Sequence, residues 1–137
     1  ERIAVPSWKF AEGRLAGRVI AERPREERPT AVFCANDMLA LGVLQELVLD
    51  GISVPDEISI IGFDDLDWAS AATVPLTTVR QPREELGRTA VRMILDEIEQ
   101  GAAHTHEHVI FEPELIVRAS TGPSPKLRDL TPPALLV

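Results

Sequence analysis

The sequence predicts an α/β fold with three layers, in which helices flank a mainly parallel sheet. Two short apolar runs, at residues 31–35 and 58–63, are rich in β-branched side chains and are bounded by turn-forming residues. Runs of this kind are typical of strands that are buried on both faces. Residues 37–50 lie between them and carry apolar side chains at helical spacing. This order of strand, helix and strand indicates a βαβ unit, whose crossover should be right-handed.

The first half of the chain alternates between strand and helix patterns. Pro6 ends a short apolar run, and Gly51 follows the second helical pattern, where glycine is common. Prolines also bracket a charged loop at 24–29. The predicted elements are a strand at 3–5, a helix at 10–22, a strand at 31–34, a helix at 37–50 and a strand at 58–61.

The second half of the chain has one long helical pattern between shorter extended segments. Residues 77–79 are predicted to be extended, and Pro82 opens the longest helix, which ends before Gly101. Pro113 interrupts a later apolar stretch, and because proline removes a sheet hydrogen-bond donor, two short strands are predicted at 109–111 and 115–117. The side chains expected on the buried face of the long helix are Leu86, Ala90, Met93, Ile94 and Ile98.

Composition limits the classes of partner. The formal net charge is −8, which argues against direct binding of nucleic-acid phosphates by this polypeptide itself. The one cysteine, Cys34, lies inside an apolar run, so a buried reduced thiol is expected, in keeping with a cytoplasmic protein. No apolar stretch approaches the roughly 20 residues of a membrane span. The first residues, ERIAVP, have neither an initiating Met nor a signal-peptide pattern, so the chain is expected to begin within a longer protein.

Each of the two buried strands ends at a pair of polar residues. Asn36 and Asp37 follow the first apolar run, and Asp64 and Asp65 follow the second. Ligands of open parallel sheets bind outside the carboxyl ends of the strands, so both pairs are expected to lie where a small molecule binds. Their amide and carboxylate groups are suited to the hydroxyl groups of a ligand.

Three segments together resemble one known family. PTAVFCANDMLALG at 29–42, IGFDD at 61–65, and PLTTVRQP at 75–82 resemble the effector-binding domain of LacI/GalR-family bacterial transcription repressors. Their order and spacing agree with that family over roughly residues 3 to 122. The resemblance implies a periplasmic-binding-protein-like type I module, whose two lobes close on a small ligand and follow a helix-turn-helix headpiece.

The resemblance also divides the chain. Residues 1–80 are expected to form the C-terminal lobe, 81–112 a segment that belongs to the N-terminal lobe, 113–122 the strand that returns to the C-terminal lobe, and 123–137 a flexible tail. The headpiece and most of the N-terminal lobe are expected to lie outside this chain. The long helix would then lack most of the sheet on which it normally packs.

The resemblance implies four ligand-binding residues: Trp8, Asn36, Asp64 and Gln81. The family asparagine that matches Asn36 binds sugar hydroxyls, but Asn36 is also a typical N-cap for the helix that follows. The aspartate that matches Asp64 binds paired hydroxyls or a ring nitrogen, with an Asx-turn as the alternative. Trp8 corresponds to an aromatic residue that stacks on the ligand, with core packing as the alternative. Gln81 resembles the glutamine at the crossing between the lobes, where it contacts the ligand or holds the hinge.

Other titratable residues are expected to have structural roles or to be solvated. Asp37 is more typical of a helix-dipole or capping carboxylate. Asp65 and Asp67 are expected to be solvated or structural, because a hard-cation site needs about six oxygens in a defined loop and the calcium-loop spacing is not completed. No metal and no cofactor are therefore predicted. Nor does the sequence suggest a catalytic triad, and Cys34 within an apolar strand is a poor nucleophile.

Three alternating histidines, His104, His106 and His108, follow Gly101. On a strand, alternate side chains point to one face at a spacing of about 7 Å. A zinc site of this kind would need a fourth ligand and a rigid support. Since these residues follow the helix in a loop, a solvated connector is the favoured interpretation.

The resemblance predicts a cytoplasmic, dimeric DNA-binding repressor that responds to a small metabolite, with a sugar as the leading class and a nucleoside or purine as the second. Operator DNA would bind through the absent headpiece, and residues 38–49 and 68–72 correspond to the dimer interface of the family. A periplasmic sugar-binding protein of an ABC transporter is the alternative. An enzyme that uses Asp64 and Asp65 as an acid/base pair is disfavoured, because adjacent residues on a strand point to opposite faces.

Overall fold

The computed structural model describes residues 1–101 and 104–124. Its helices and strands alternate along most of the chain, as the sequence predicts. The elements are α1 (Phe10–Ala21), β1 (Ala31–Phe33), α2 (Asp37–Leu49), β2 (Ser59–Phe63), α3 (Asp67–Ala71), β3 (Thr77–Arg80), α4 (Arg83–Gln100) and β4 (Glu114–Ile116), with a short 3-10 turn at Arg25–Glu27. No helix within the described residues is long and apolar enough to cross a membrane.

The four strands form one sheet in the order β1-β2-β3-β4. β1 pairs with β2 and β2 with β3 in parallel, with Val32 opposite Ile60 and Gly62 opposite Thr78. β4 runs antiparallel to β3. The predicted α/β fold with a mainly parallel sheet is therefore confirmed, and the carboxyl ends of the three parallel strands meet at one edge.

Two predicted strands are wrong. Residues 3–5 make no ladder, although Ile3 and Val5 pack against the core. They line a cavity that β1 also lines. Residues 109–111 also lie outside the sheet, and Ile110 is 90% exposed. Apolar β-branched residues make a strand only where a neighbouring backbone completes the hydrogen bonds.

The broad apolar surface of α2 has a simple explanation, because this helix packs on two layers. It contacts both β2 and α1, and Leu39, Val43, Leu44 and Leu47 are buried between them. The core is continuous with Ile58, Ile60 and Leu76 of the sheet region. A helix covered on two sides needs apolar residues around most of its circumference, which is why its sequence is not strongly amphipathic.

Small residues allow α1 and α2 to approach closely. A methyl group added at Gly42 would overlap the Phe10 carbonyl oxygen and lie 2.7 Å from the Arg14 nitrogen. One added at Gly13 would overlap the Leu39 carbonyl oxygen. The overlapped atoms belong to the backbone, so neither clash is relieved by a side-chain rotation.

The long helix α4 differs from α1 and α2. None of its residues is buried, and Ile94 and Ile98 are 58% and 71% exposed. The predicted apolar stripe is therefore present in the sequence but does not form a buried face in this chain. The predicted tail begins at residue 123, and its residues 125–137 lie outside the described residues.

Gly42→Ala is expected to destabilise the fold, because the new methyl group forces the α1 and α2 backbones apart. Overpacking of this kind costs about 1–3 kcal/mol in the free energy of unfolding, measurable by urea denaturation. Gly87→Ala in α4 is the matched control, since nothing lies within 4 Å of its added Cβ. The control should leave stability unchanged or raise it slightly, and equal losses in both variants would contradict close helix packing.

Candidate functional site

Asn36 joins the end of β1 to the start of α2 through both of its side-chain groups. Its Oδ1 atom accepts a hydrogen bond from the Leu39 N–H at 2.9 Å, so Asn36 is the N-cap of α2. Its Nδ2 atom donates to the Trp8 carbonyl oxygen at 3.0 Å. The amide retains one N–H and one acceptor lone pair beyond these two bonds. Capping is thus the observed role, and it leaves the amide able to bind a ligand as well.

Asp64 lies at the end of β2 and is held by the chain that leaves β3. Its Oδ1 atom accepts a hydrogen bond from Gln81 Nε2 at 2.7 Å, and its N–H donates to the Val79 carbonyl at 2.9 Å. The other carboxylate oxygen, Oδ2, has no hydrogen-bond partner among residues 1–101 and 104–124. Two sequence-predicted site residues, Asp64 and Gln81, are therefore in direct contact.

The backbone at this strand end is strained. Asp64 has φ 108° and Asp65 has φ 52°, both in the positive region that favours glycine. Such conformations cost on the order of 1–3 kcal/mol each and are concentrated at functional sites. Both residues lie directly after the end of β2 at Phe63.

Trp8 lies on the other side of Asn36 and is 69% exposed, so it is not a core residue. It borders a cavity of about 520 Å³ between residues 1–5, α1 and β1, which also includes Cys34 and Ala35. Asn36 does not line this cavity. Nor do Asp64 and Gln81, so the cavity lies beside the strand ends rather than over them.

Asp37 has a structural role: it lies in the first turn of α2, where a helix-dipole carboxylate was expected, but the capping alternative is wrong because Asn36 is the cap. Its side chain is fully buried, with Oδ1 accepting from the Thr78 hydroxyl at 2.6 Å and Oδ2 accepting from the Leu66 N–H at 2.8 Å. Burial raises the pKa of Asp37; these two hydrogen bonds counter part of that effect, and the charges of Asp64 and Asp65 add to it. The carboxylate therefore connects α2 to β3 and to the segment after β2.

Asp65 is also occupied by protein partners. Its two oxygens accept hydrogen bonds from Arg118 Nη2 and Arg80 Nε, each at 2.7 Å. Burial alone would raise the pKa of Asp65, but the hydrogen bonds and charges of the two arginines outweigh it and lower the pKa. Arg118 also donates to the Leu76 carbonyl at 2.8 Å. The predicted structural role of Asp65 is thus an ion-pair network that ties the returning chain to β2 and β3.

Several supporting residues were not predicted from the sequence. Thr78 and Arg118 hold the two carboxylates described above. Ser120 accepts from the Thr77 N–H at 2.8 Å and donates to the Ile60 carbonyl at 2.6 Å, while fully buried. Their partners lie far away in sequence, so no local signal indicated these roles. Burial raises the pKa of Cys34 to about 12, with a further contribution from Asp37, which agrees with its predicted inertness.

Comparisons with known proteins agree on one family. Residues 2–121 match the family described as periplasmic binding protein-like domain. The chain is 49% identical over 113 residues to the arabinose metabolism transcriptional repressor of Geobacillus stearothermophilus, covering 82% of this chain and 31% of that protein. It is 40% identical over 123 residues to the HTH-type transcriptional repressor CytR of Escherichia coli K12, covering 90% and 35%. The chain spans about a third of the length of these curated relatives.

A solved structure gives the same result for the fold. The chain is similar to a LacI family transcriptional regulator from Lactobacillus casei with bound glucose, with a TM-score of 0.72 and 31% identity. The match covers 82% of this chain and 40% of the other. Sequence and fold therefore point to the same group of proteins.

Asp37→Asn is expected to change how stability depends on pH. Because the folded-state pKa is raised above the ordinary value of about 3.9, Asp37 contributes stability that is complete at lower pH and is lost as pH rises through its folded pKa. Asparagine does not titrate there. The unfolding free energy of the wild type minus that of the variant should therefore fall as pH rises from about 3 to 7.

Urea unfolding at several pH values measures this difference, and a difference that rises with pH would contradict the raised pKa. Asp37→Ala serves as the comparison variant, since it removes the acceptor for both the Leu66 N–H and the Thr78 hydroxyl. Each buried donor left without a partner costs about 1–3 kcal/mol. The alanine variant should accordingly be less stable than the asparagine variant throughout the range.

Proposed function

The chain belongs to the periplasmic binding protein-like domain family, among the LacI-family transcriptional regulators, and we propose that it is the effector-sensing and dimerisation portion of a LacI-type DNA-binding repressor. The observation that carries this proposal is the Asp64 strand end. Its carboxylate is positioned by Gln81, has one oxygen without a partner among the described residues, and stands on strained backbone. A strained, partly unsatisfied acceptor above a parallel sheet suits ligand binding.

The proposed effector is a small metabolite, with a sugar as the leading class and a nucleoside or purine as the second. Asp64 accepts hydrogen bonds from hydroxyl groups, and the remaining N–H and lone pair of Asn36 complement them. The exposed indole of Trp8 offers an apolar face for stacking on a ring. The relative named for arabinose metabolism and the structure with bound glucose support the sugar class.

The affinity expected from these contacts is moderate. Hydrogen bonds to charged groups contribute about 1.5–3 kcal/mol each. Three of them correspond to micromolar-to-millimolar binding once ordering costs are included, since a dissociation constant of about 1 mM is roughly 4 kcal/mol. That range is appropriate for a sensor of metabolite concentration.

We assign residues 1–80 and 113–122 to the C-terminal lobe and residues 81–112 to a segment of the other lobe. The contact between Asp64 Oδ1 and Gln81 Nε2 at 2.7 Å then spans the crossing between them. A ligand that forms hydrogen bonds to Asp64 would alter the hydrogen bond between Asp64 and Gln81 at this crossing. Lobe closure is thereby coupled to binding, and coupling of about 1–3 kcal/mol is sufficient for regulation.

The proposed partners are a second copy of the chain and operator DNA. In α2, Leu49 is 66% exposed and Val48 is 41% exposed, and in α3 Trp68 is 69% exposed. A groove of about 360 Å³ runs along this surface, lined by Phe10, Leu41, Leu44, Gln45, Val48, Leu49, Ala72 and Thr73. Large exposed apolar side chains at one surface favour association. A two-fold dimer would place two DNA-binding headpieces at half-sites one helical turn apart.

The other hypotheses are weaker. A periplasmic transport receptor is not favoured, because the relatives compared above are transcriptional regulators, which supports a cytoplasmic protein. An acid/base pair of Asp64 and Asp65 is disfavoured because both Asp65 oxygens are bonded to arginines. We therefore propose that the protein is not an enzyme.

Asp64→Ala in the full-length protein is expected to abolish the effector response while leaving operator binding intact, because it removes the ligand acceptor but not the headpiece. Sugar affinity in titration calorimetry should fall by about 10–100-fold, equivalent to one or two strong hydrogen bonds. Asn36→Ser should also weaken binding, and it keeps a residue that caps helices well. Asp67→Asn, which alters an exposed carboxylate nearby, is the control. Unchanged affinity in the Asp64 and Asn36 variants would refute the site.

Leu49→Glu is expected to convert the full-length dimer to a monomer at micromolar concentration, because it buries a charge in the proposed interface. Sedimentation velocity measures the outcome. Leu15→Glu is the matched control, since Leu15 is 56% exposed on α1, outside the proposed interface. Monomeric wild-type protein, or equal dissociation of both variants, would count against the dimer surface.

A further inference from the structure

Three side chains with metal-ligating atoms meet at the end of α4, away from the strand ends. Glu97 lies in the last turn of the helix, and His104 and His106 lie in the connector that follows. One ligating atom from each residue lies within 4.8 Å of the other two. The two imidazole rings pack edge to face, with centroids 5.3 Å apart. Of the three alternating histidines, His104 and His106 belong to this group and His108 does not.

The end of the helix supplies the support that such a cluster needs. Gly101 ends α4 with φ 55°, and its N–H donates to the Glu97 carbonyl. The His104 N–H donates in turn to the Gly101 carbonyl oxygen at 3.1 Å. These backbone bonds hold His104 near the end of the helix that carries Glu97. The two histidines therefore lie close to Glu97 of the helix, which precedes them by seven and nine residues. Strand alternation did not predict this arrangement.

A second observation points to a ligand at this place. The Nδ1 atom of His104 is buried and has no hydrogen-bond partner in the part of the chain that the structure describes. A buried polar atom without a partner carries a desolvation cost. Metal coordination engages an imidazole nitrogen lone pair and orients the ring, so that its other nitrogen serves as a hydrogen-bonding group.

We propose that Glu97, His104 and His106 bind a borderline divalent transition metal, with Zn²⁺ as the first choice. Two imidazoles and one carboxylate form a ligand set that Zn²⁺ uses, and water fills the open fourth position. Mg²⁺ and Ca²⁺ are excluded as the main occupants because they prefer oxygen ligands throughout. Tetrahedral Zn²⁺ places its ligands about 3.3 Å apart, at bond lengths of about 2.0–2.1 Å. The ligating atoms lie within 4.8 Å of one another, and Glu97 and His106 are exposed, so their side chains have room to rotate to this spacing.

Calorimetric titration of the untagged 137-residue chain with ZnCl₂ tests the proposal. We expect one equivalent of Zn²⁺ to bind, and no heat of binding with MgCl₂ at the same concentration. His104→Ala and His106→Ala should each weaken Zn²⁺ binding at least about tenfold, as loss of one ligand in three requires. Glu97→Gln should weaken it several-fold. His108→Ala is the matched control and should leave the affinity unchanged.

Far-UV circular dichroism verifies that each variant keeps the wild-type fold. The fold should be kept in the Glu97 and His106 variants because both side chains are exposed. Three results would overturn the proposal: no Zn²⁺ binding by the wild type, equal weakening by His108→Ala, or no effect of Glu97→Gln. Equal weakening would identify a loose histidine tract rather than a built site. The effector and operator responses do not enter the readout, so the outcome is independent of the proposed function.

Discussion

The buried carboxylate of Asp37 is the interaction on which the rest of this structure depends. It begins α2, yet its two oxygens bond to β3 through Thr78 and to the segment after β2 through the Leu66 N–H. The side chain therefore fixes three elements around the edge of the sheet at which the strands end. Gly62 is part of the same arrangement, because a methyl group there would overlap Asp37 Oδ1. Burial of the carboxylate costs free energy, and the hydrogen bonds to both oxygens offset part of that cost.

This arrangement gives different roles to the two members of each polar pair at the strand ends. One member belongs to the scaffold and the other to the proposed site. Asp37 and Asp65 are the scaffold residues. Burial raises the pKa of Asp37 although two neutral donors counter it, whereas two arginines outweigh burial at Asp65 and lower its pKa. Asn36 and Asp64 retain hydrogen-bonding capacity after their protein contacts are counted. The strained backbone of Asp64 is held by the Gln81 side chain and the Val79 carbonyl. A rigid scaffold beneath a strained, partly unsatisfied acceptor is a suitable basis for ligand recognition.

The sequence predicted the three longer helices and the three parallel strands to within about two residues, because periodicity and turn residues are local signals, but it missed the five-residue helix α3. It failed for residues 3–5 and 109–111, where a strand needs a partner that local sequence does not reveal. The polar strand ends were recognised, but the role of Asp37 was not, since its partners lie 29 and 41 residues away. Arg118 lies 53 residues from Asp65, and its role was not predicted for the same reason.

The central claim is that the strand ends of this LacI-family chain bind the effector through Asn36 and Asp64, while Asp37 and Asp65 remain in the scaffold. A crystal structure of the full-length protein with D-glucose, or with the tightest binder among common sugars and nucleosides, tests it most directly. The account predicts ligand hydroxyl oxygens within hydrogen-bond distance of Asp64 and Asn36, with the Asp37–Thr78 and Asp65–Arg118 bonds intact. A ligand bonded to Asp37 or Asp65, or bound away from both strand ends, would contradict it.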